Sequence, residues 1–442
     1  MIHIYPNKKH SLSIILHSTF KKSVQNFKKI RIIYGLKEVT VTPKFSDSIP
    51  ENKCSLSSDA INTLDIPINL PYEIQFVESK LIIGPFIGIL AAVSNEKLHQ
   101  TLPFLSVFVH HYEKIRGTII AFSLEGIDQE KAIITGLIFN PISRMWIEGT
   151  FSYPRSVFSI VETSLTENWS VYVKTMDHFH DLLGKRIFNY PNFDKWQMHQ
   201  LLKQSLHEYL PKTVIYSEPK DVRNMLRKYS SIYIKPINGR LGKYVLMVTR
   251  IPSGVLVRFG HDSKNAKHFK SWRNFRNFLR KLLKKDSYLI QQAINLVTVE
   301  NQIIDFRVIV VKNNHGIWEN IGFFARYGMK NSIVSNITAG GQAEIGSRTL
   351  KTVFNLTKTE RKDLIHRIYQ LIKTAITVLE NHGYHLGNLG FDIGIDKNGK
   401  IWLIEINNQN PDHFIAVKAN KKKLFYQAKL NNILYAKALS MS

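Results

Sequence analysis

The chain is 442 residues long, 44% hydrophobic and formally +26 at pH 7, with Cys54 its single cysteine. That length exceeds one ordinary core and that apolar content lies outside the disordered class, so two or three packed domains are expected. No apolar run approaches the ~20 residues that cross a bilayer, a lone cysteine excludes an intramolecular disulfide or a cysteine metal cluster, and MIHIYPNKKHS lacks the layout of a signal peptide, all of which points to the cytoplasm.

Residues 1–78 alternate short apolar runs, such as HSLSIIL (10–16) and IRIIYG (30–35), with polar, proline-containing segments, and this predicts a small β-rich domain. From 79 to 185 strand and helix patterns mix: LIIGPFIGIL (81–90) is a buried strand or strand pair, SVFVHHYEKI (106–115) a helix, and TIIAFSL (118–124) and AIITGLIFN (132–140) strands. That rhythm predicts an α/β unit. A third region, 186–415, opens with a helix over 194–210 that stops before Pro211, followed by a helix over 222–229. SIYIKP (231–236) is a strand, NGRLG (238–242) a glycine turn, and KYVLMVTR (243–250) and VLVRFG (255–260) strands. Residues 264–285 carry nine lysines and arginines on a helical apolar period that includes Phe269, Trp272, Phe275 and Leu279. An amphipathic helix with a solvated basic face is the plain reading, and a polyanion surface the sharper one; no nucleic-acid-binding signature accompanies it, which argues against nucleic acid. Strands at 288–294, 305–312 and 317–328, a long helix over 364–383 ending at Gly383, and a hairpin over 391–407 complete the region. A basic tail, 416–442, contains KANKKK and no acidic residue.

The chemistry gathers in the last third. The hairpin FDIGIDKNGKIWLIEIN puts Asp392 on one strand and Glu405 and Asn407 two residues apart on the other, hence on one face. Two carboxylates and an amide oxygen form a hard-oxygen set suited to Mg²⁺; a structural ion pair at the sheet edge is the alternative. Lys235 stands at a strand end before Gly239 and Gly242, where backbone N–H groups approach phosphate oxygens closely and a lysine supplies point charge. Asp305 and Arg307 share a strand face, and FARYGMKNSIVSNITAGG adds Arg326, Asn336, Gly340 and Gly341, a set able to hold a transferring phosphoryl group.

In order, Lys-Pro with a glycine loop, QQ, DFR, A-R…N…G-G, D and E-x-N resemble the ATP-grasp enzymes. DFRVIVVKNNHGIWENIGFFARYGMKNSIVSNITAGG is similar to carboxylate–amine ligases of the glutathione synthetase and ribosomal-protein glutamate ligase type. GPFIGIL, NPISRMWIEGTFSYPRSVF and FNYPNFDKWQMHQLL resemble the YheC/YheD group associated with bacterial endospore coats. The resemblance covers roughly residues 80–415. It implies a pre-ATP-grasp domain over 79–185 and an ATP-grasp domain of two α+β subdomains over 186–415, which with the β-rich N-terminal domain read above makes an α/β (α+β) fold. It implies nucleotide contacts from Lys195 and Lys235 and an adenine hinge at Gln291, Gln292 and Ile294. Asp392, Glu405 and Asn407 would hold one or two Mg²⁺ ions, with Mn²⁺ as a substitute. Arg326 and Asn336 would stabilise the phosphoryl group, while Arg307 either joins them or pairs with Asp305. The implied activity is ligation of a carboxylate to an amine with ATP through an acyl-phosphate, on a peptide, an acidic polymer or a spore-envelope component, beside spore coat proteins. A coat-associated binding protein with little turnover is the alternative.

Overall fold

The computed structural model describes residues 1–7, 12–24, 27–161, 169–239, 242–260, 265–335 and 341–442, and the fold is a mixed α+β one. Among these residues, seven strands between Ile2 and Gly84 close into a barrel. Its interior is filled by residues such as Ile14, Ile32, Leu56 and Leu81, all below 1% exposed. The apolar run 81–90 is a strand pair: Lys80–Gly84 closes the barrel, and Phe86–Ala92 continues into a five-stranded mixed sheet. The stretch 106–115 is not one helix. Leu102–Phe108 and Tyr112–Ile115 are separate short helices, broken at His111, whose φ and ψ of −109° and 49° are non-helical.

Two further sheets hold the candidate site between them. The first is antiparallel throughout, with β1 (Thr213–Ile215), β2 (Ser231–Pro236), β3 (Leu246–Ile251), β4 (Gly254–Phe259), β5 (Ala266–Phe269) and β6 (Tyr288–Gln292) in the order β1-β6-β2-β3-β4-β5. Its back face carries α2 (Pro219–Tyr229) and α3 (Trp272–Leu282), which pack Val222, Leu226, Phe275 and Leu279 against Ile232, Ile234, Val248 and Val257. The basic segment thus differs from a single long helix. Its first residues form β5, and Ser271 accepts from the Asn274 N–H at 3.3 Å as the N-cap that turns strand into helix. The second sheet has the order β9-β8-β7-β10-β11: β7 (Gln302–Lys312), β8 (Trp318–Tyr327), β9 (Gln342–Ile345), β10 (Asn388–Ile395) and β11 (Ile401–Asn407). α4 (Lys358–Asn381) and α1 (Lys195–Leu206) cover one face, packing Ile368, Ala375, Leu379 and Leu202 on Phe306, Val308 and Phe391. Capping boxes Asp194/Gln197 and Thr357/Glu360 start these two helices, and Gly383, at φ +88°, lies just beyond the end of α4.

The segment 416–442 carries its charge at exposed Lys418, Lys421, Lys422 and Lys423, and from there it is a helix rather than a tail, α5 (Lys422–Met441). α5 packs Phe425 and Ala428 on Ile309 and Phe324 of the second sheet, and Ile433 and Ala436 on Ile87 and Phe158 of the five-stranded sheet. Lys437 reaches Glu73 of the barrel at 2.7 Å. One helix therefore touches three of the four sheets seen among the described residues and, with the short helix Ile415–Lys418, covers part of the second sheet's free face. The rest of that face lines a cleft.

Candidate functional site

Strict alternation along β11 would put Ile401, Leu403, Glu405 and Asn407 on one face. The structure separates them with a β-bulge: Asp392 pairs with Glu405, but Ile393 pairs with Leu403, so Ile404 is an extra residue. Leu403 and Ile406 enter the core, while Ile404, Glu405 and Asn407 line the cleft. Such bulges re-aim side chains beside sites. β7 is similarly divided: Phe306 and Val308 face the core, and Asp305 and Arg307 face the cleft.

Four charges interlock on this wall. Arg307 grips Asp392 with Nε–Oδ1 at 2.5 Å and Nη2–Oδ2 at 3.1 Å. Arg326 grips Asp305 with Nε–Oδ1 at 2.7 Å and Nη2–Oδ2 at 2.5 Å, and its Nη2 also lies 3.1 Å from Asp392 Oδ2. Ser335 donates to Asp305 at 2.5 Å. Burial pushes the Asp392 carboxyl up, but Arg307 and Arg326 outweigh it and hold the group below the usual carboxylate range. For Arg326, burial favours the neutral form, and Asp305 and Asp392 outweigh it in turn, raising its pKa. The expected alternative of an Arg307–Asp305 pair does not form, because each arginine takes the carboxylate directly across the strand pair.

The opposite wall comes from the first sheet. Lys235, half-buried on β2, donates to Gln291 Oε1 at 2.7 Å, and Gln291 donates to Thr213 at 3.0 Å. Burial lowers the Lys235 ammonium to about 8, with Glu405 the largest opposing influence. Lys195, the first residue of α1, spans the cleft: its Nζ donates to the Gly239 carbonyl and lies 3.4 Å from Glu405 Oε1. At the strand end the Gln292 and Ala293 N–H groups are held by the Lys212 and Ser231 carbonyls, and the Ile294 carbonyl accepts from Leu296. The Ile294 N–H has no backbone acceptor among the described residues. The cleft volume is about 240 Å³.

Of the residues singled out from sequence, Lys195, Lys235, Gly239, Gly242, Gln291, Gln292, Ile294, Arg307, Arg326, Asp392, Glu405 and Asn407 all line this one cleft. Gly341 is described but lies outside the lining, just before β9. Asn336 and Gly340 fall outside the described residues. Lys243 of the N-G-R-L-G-K loop, which the sequence also suggests as a phosphate contact, lines the cleft too, whereas sequence reasoning missed Tyr233, Ser335 and the 409–412 turn. Tyr233 was findable, since it shares a strand face with Lys235. The turn was not: Asn410 and Gln409 anchor it to the carbonyls of Ile160 and Val161, about 250 residues earlier.

The hard-oxygen set suits a divalent cation. Asp392 and Glu405 sit directly opposite, and Asn407 donates its amide to the Gly390 carbonyl at 3.3 Å, which leaves its oxygen available as a ligand. Among the described residues no cluster of three or more His, Cys, Asp or Glu groups could hold a metal ion, and no helix is long and apolar enough to cross a membrane.

A family model described as "YheC/D like ATP-grasp" matches residues 184–439. The endospore coat-associated protein YheD of Bacillus subtilis is 28% identical over 401 residues, 88% of this chain and 86% of that one. YheC of the same organism is 26% identical over 248 residues, 55% of this chain and 67% of that one. Among solved structures, D-alanyl-alanine synthetase A from Vibrio cholerae aligns with 13% identity over 79% of this chain and 99% of that one, at a TM-score of 0.44.

Proposed function

The chain belongs to the YheC/D-like ATP-grasp family, and on that basis we propose that it binds MgATP between the two sheets and uses it to join a carboxylate to an amine. The carboxylate oxygen attacks the γ-phosphorus and ADP leaves; the amine nitrogen then attacks the acyl carbon, phosphate leaves and the amine gives up a proton. Lys235 and Lys195 meet the phosphates, and the glycine turn at Gly239 and Gly242 lets the backbone approach them. The Ile294 N–H and the strand end at Gln291 and Gln292 read the adenine edge. Arg307 and Arg326 neutralise the phosphoryl and acyl-phosphate oxygens, with Asn336, Gly340 and Gly341 assigned there by sequence resemblance alone. Asp392, Glu405 and Asn407 would hold Mg²⁺, which would supply charge neutralisation to the phosphates. The observation that carries the reading is the convergence of twelve sequence-nominated residues from two sheets and one helix on a single cleft.

The names of the two Bacillus relatives extend the proposal to a spore-envelope peptide or polymer as substrate and to work beside coat proteins. One observation favours a second reading, a coat-associated binding protein with little turnover: both Asp392 oxygens are held by arginines and Glu405 by Lys195, so the cleft is charge-satisfied without ligand. Calorimetric titration of ATP with and without Mg²⁺ on the wild type and on Glu405→Gln tests the first point. Mg²⁺-dependent binding that the substitution weakens supports the nucleotide site, and its absence in well-folded wild type overturns it. ADP release with carboxylate and amine panels then separates ligase from binder.

A further inference from the structure

Residues 218–286 carry eighteen lysines and arginines against four acids, a surplus of fourteen within a total of 26. Few of these charges point into the cleft. β2 alternates so that Tyr233 and Lys235 face the cleft while Ile232 and Ile234 face α2 and α3, and those two helices carry eight of the eighteen cations. Arg223 and Arg227 on α2 and Arg273, Arg280, Lys281 and Lys284 on and just after α3 are all exposed. None of the six has a carboxylate within ion-pair distance among the described residues. The nearby acids serve other ends: Asp221 accepts from the Ser217 and Glu218 N–H groups at the start of α2, and Asp286 sits 4.0 Å from Lys285. The Arg223 guanidinium lies 5.3 Å over the Trp272 ring, which joins the two helices into one surface.

A solvated helical face ordinarily intersperses both signs, and like charges three and four residues apart repel. Arg273, half-buried Arg276 and Arg280 follow such steps along α3, about 6 Å apart, and Lys284 follows just past its end. Carboxylates on alternate residues of an extended polypeptide repeat at about 6.6 Å, a near match. The aromatic rings here are already engaged. Trp272 packs on Phe275 beneath Arg223, and Phe278 on Phe269 and Phe275. The surface therefore lacks a free ring platform of the kind on which single-stranded bases stack. We infer that the outer face of α2 and α3 is a docking surface for an acidic polypeptide, separate from the cleft and on the opposite side of the β1–β6 sheet. Held there, a polymeric substrate would present its carboxylates to the cleft at raised local concentration. The substrate role rests on the proposed ligase function; the docking itself does not.

The test is run without nucleotide, so its outcome is independent of the ligase reading. Fluorescently labelled poly-L-glutamate is titrated by anisotropy into the full chain and into a variant carrying Arg273→Gln, Arg280→Gln, Lys281→Gln and Lys284→Gln, with a labelled single-stranded DNA of equal length in parallel. These four side chains are exposed, and thermal melting checks that the variant folds. Binding of poly-L-glutamate that the variant weakens at least tenfold, with the oligonucleotide at least tenfold weaker than poly-L-glutamate at the same ionic strength, is expected. Equal binding by wild type and variant overturns the site. An oligonucleotide that binds as tightly as poly-L-glutamate overturns the choice of partner. Should the quadruple variant fail to fold, the Arg273→Gln/Lys284→Gln pair serves in its place, read by the same criterion.

Discussion

Replacing Lys235 with methionine should remove a proton-coupled step from nucleotide binding. Burial holds this ammonium at about 8. At pH 8.5 only about a quarter of the molecules carry the charge, and phosphate oxygens that return the group to an ordinary lysine value make binding take up about 0.75 proton. The same arithmetic gives a roughly tenfold loss of affinity between pH 7 and pH 9, about 1.4 kcal/mol. Calorimetry at pH 8.5 in two buffers of different ionisation enthalpy measures the uptake directly. Near-zero uptake in the wild type, or equal uptake in Lys235→Met, would refute the placement of Lys235 on the phosphates. Folding stability has its own sign here. The unfolded chain keeps the Lys235 proton more tightly than the folded one, so this residue makes stability rise with pH from about 8 toward the ordinary lysine range.

Three further outcomes follow from the packing. Arg326→Met leaves buried Asp305 without its guanidinium and Asp392 with Arg307 alone, and urea denaturation should show a loss of about 3–5 kcal/mol; a loss below about 1 kcal/mol would mean the cluster is solvated. Gly390→Ala would put a Cβ 2.9 Å from Pro411 Cβ and 3.3 Å from Arg307 Cδ; the displaced Arg307 should weaken ATP binding several-fold, and the shifted Pro411 should lower the thermal midpoint. Ile433→Ala, at a fully buried position on α5, should cost about 2–5 kcal/mol in the same urea assay.

The candidate site was legible in sequence to the extent that local patterning defines it. Lys235 before a glycine turn, D-F-R on an apolar strand and E-x-N in a hairpin are short-range signals, and the residues they name meet in one cleft. The long-range pairings were not. Asp305 and Arg307 looked like partners because neighbours two apart share a face, yet register sets Asp305 opposite Arg326 and Arg307 opposite Asp392, and cross-strand neighbours lie closer than same-strand ones. α5 was missed for a different reason. Phe425, Ala428, Leu430, Ile433 and Ala436 are buried on several sides of the helix, so no single apolar stripe marks it. Lys429 is also buried, beneath Phe104, Phe108 and Phe425, which breaks the pattern further. The bulge at Ile404 leaves no trace at all, since an inserted residue in an apolar strand reads like any other.

That bulge decides what the cleft wall can do. It sets two carboxylates, Asp392 and Glu405, directly across a strand pair, an arrangement that is unfavourable by itself. The row is neutralised at both ends, by Arg307 on Asp392 and by Lys195 on Glu405, so charge runs plus, minus, minus, plus from β7 to α1. A purely structural pair would place one acid against one base and need neither the bulge nor the second carboxylate. Under the proposed function, Asp392 and Glu405 would hold a divalent ion whose charge replaces that of the cations, Lys195 would pass from Glu405 to phosphate, and Arg307 and Arg326 would give up part of their hold on Asp392 to the phosphoryl group. Each ion pair of the cleft wall would then have a counterpart in the nucleotide complex, and no buried charge would be left unpaired.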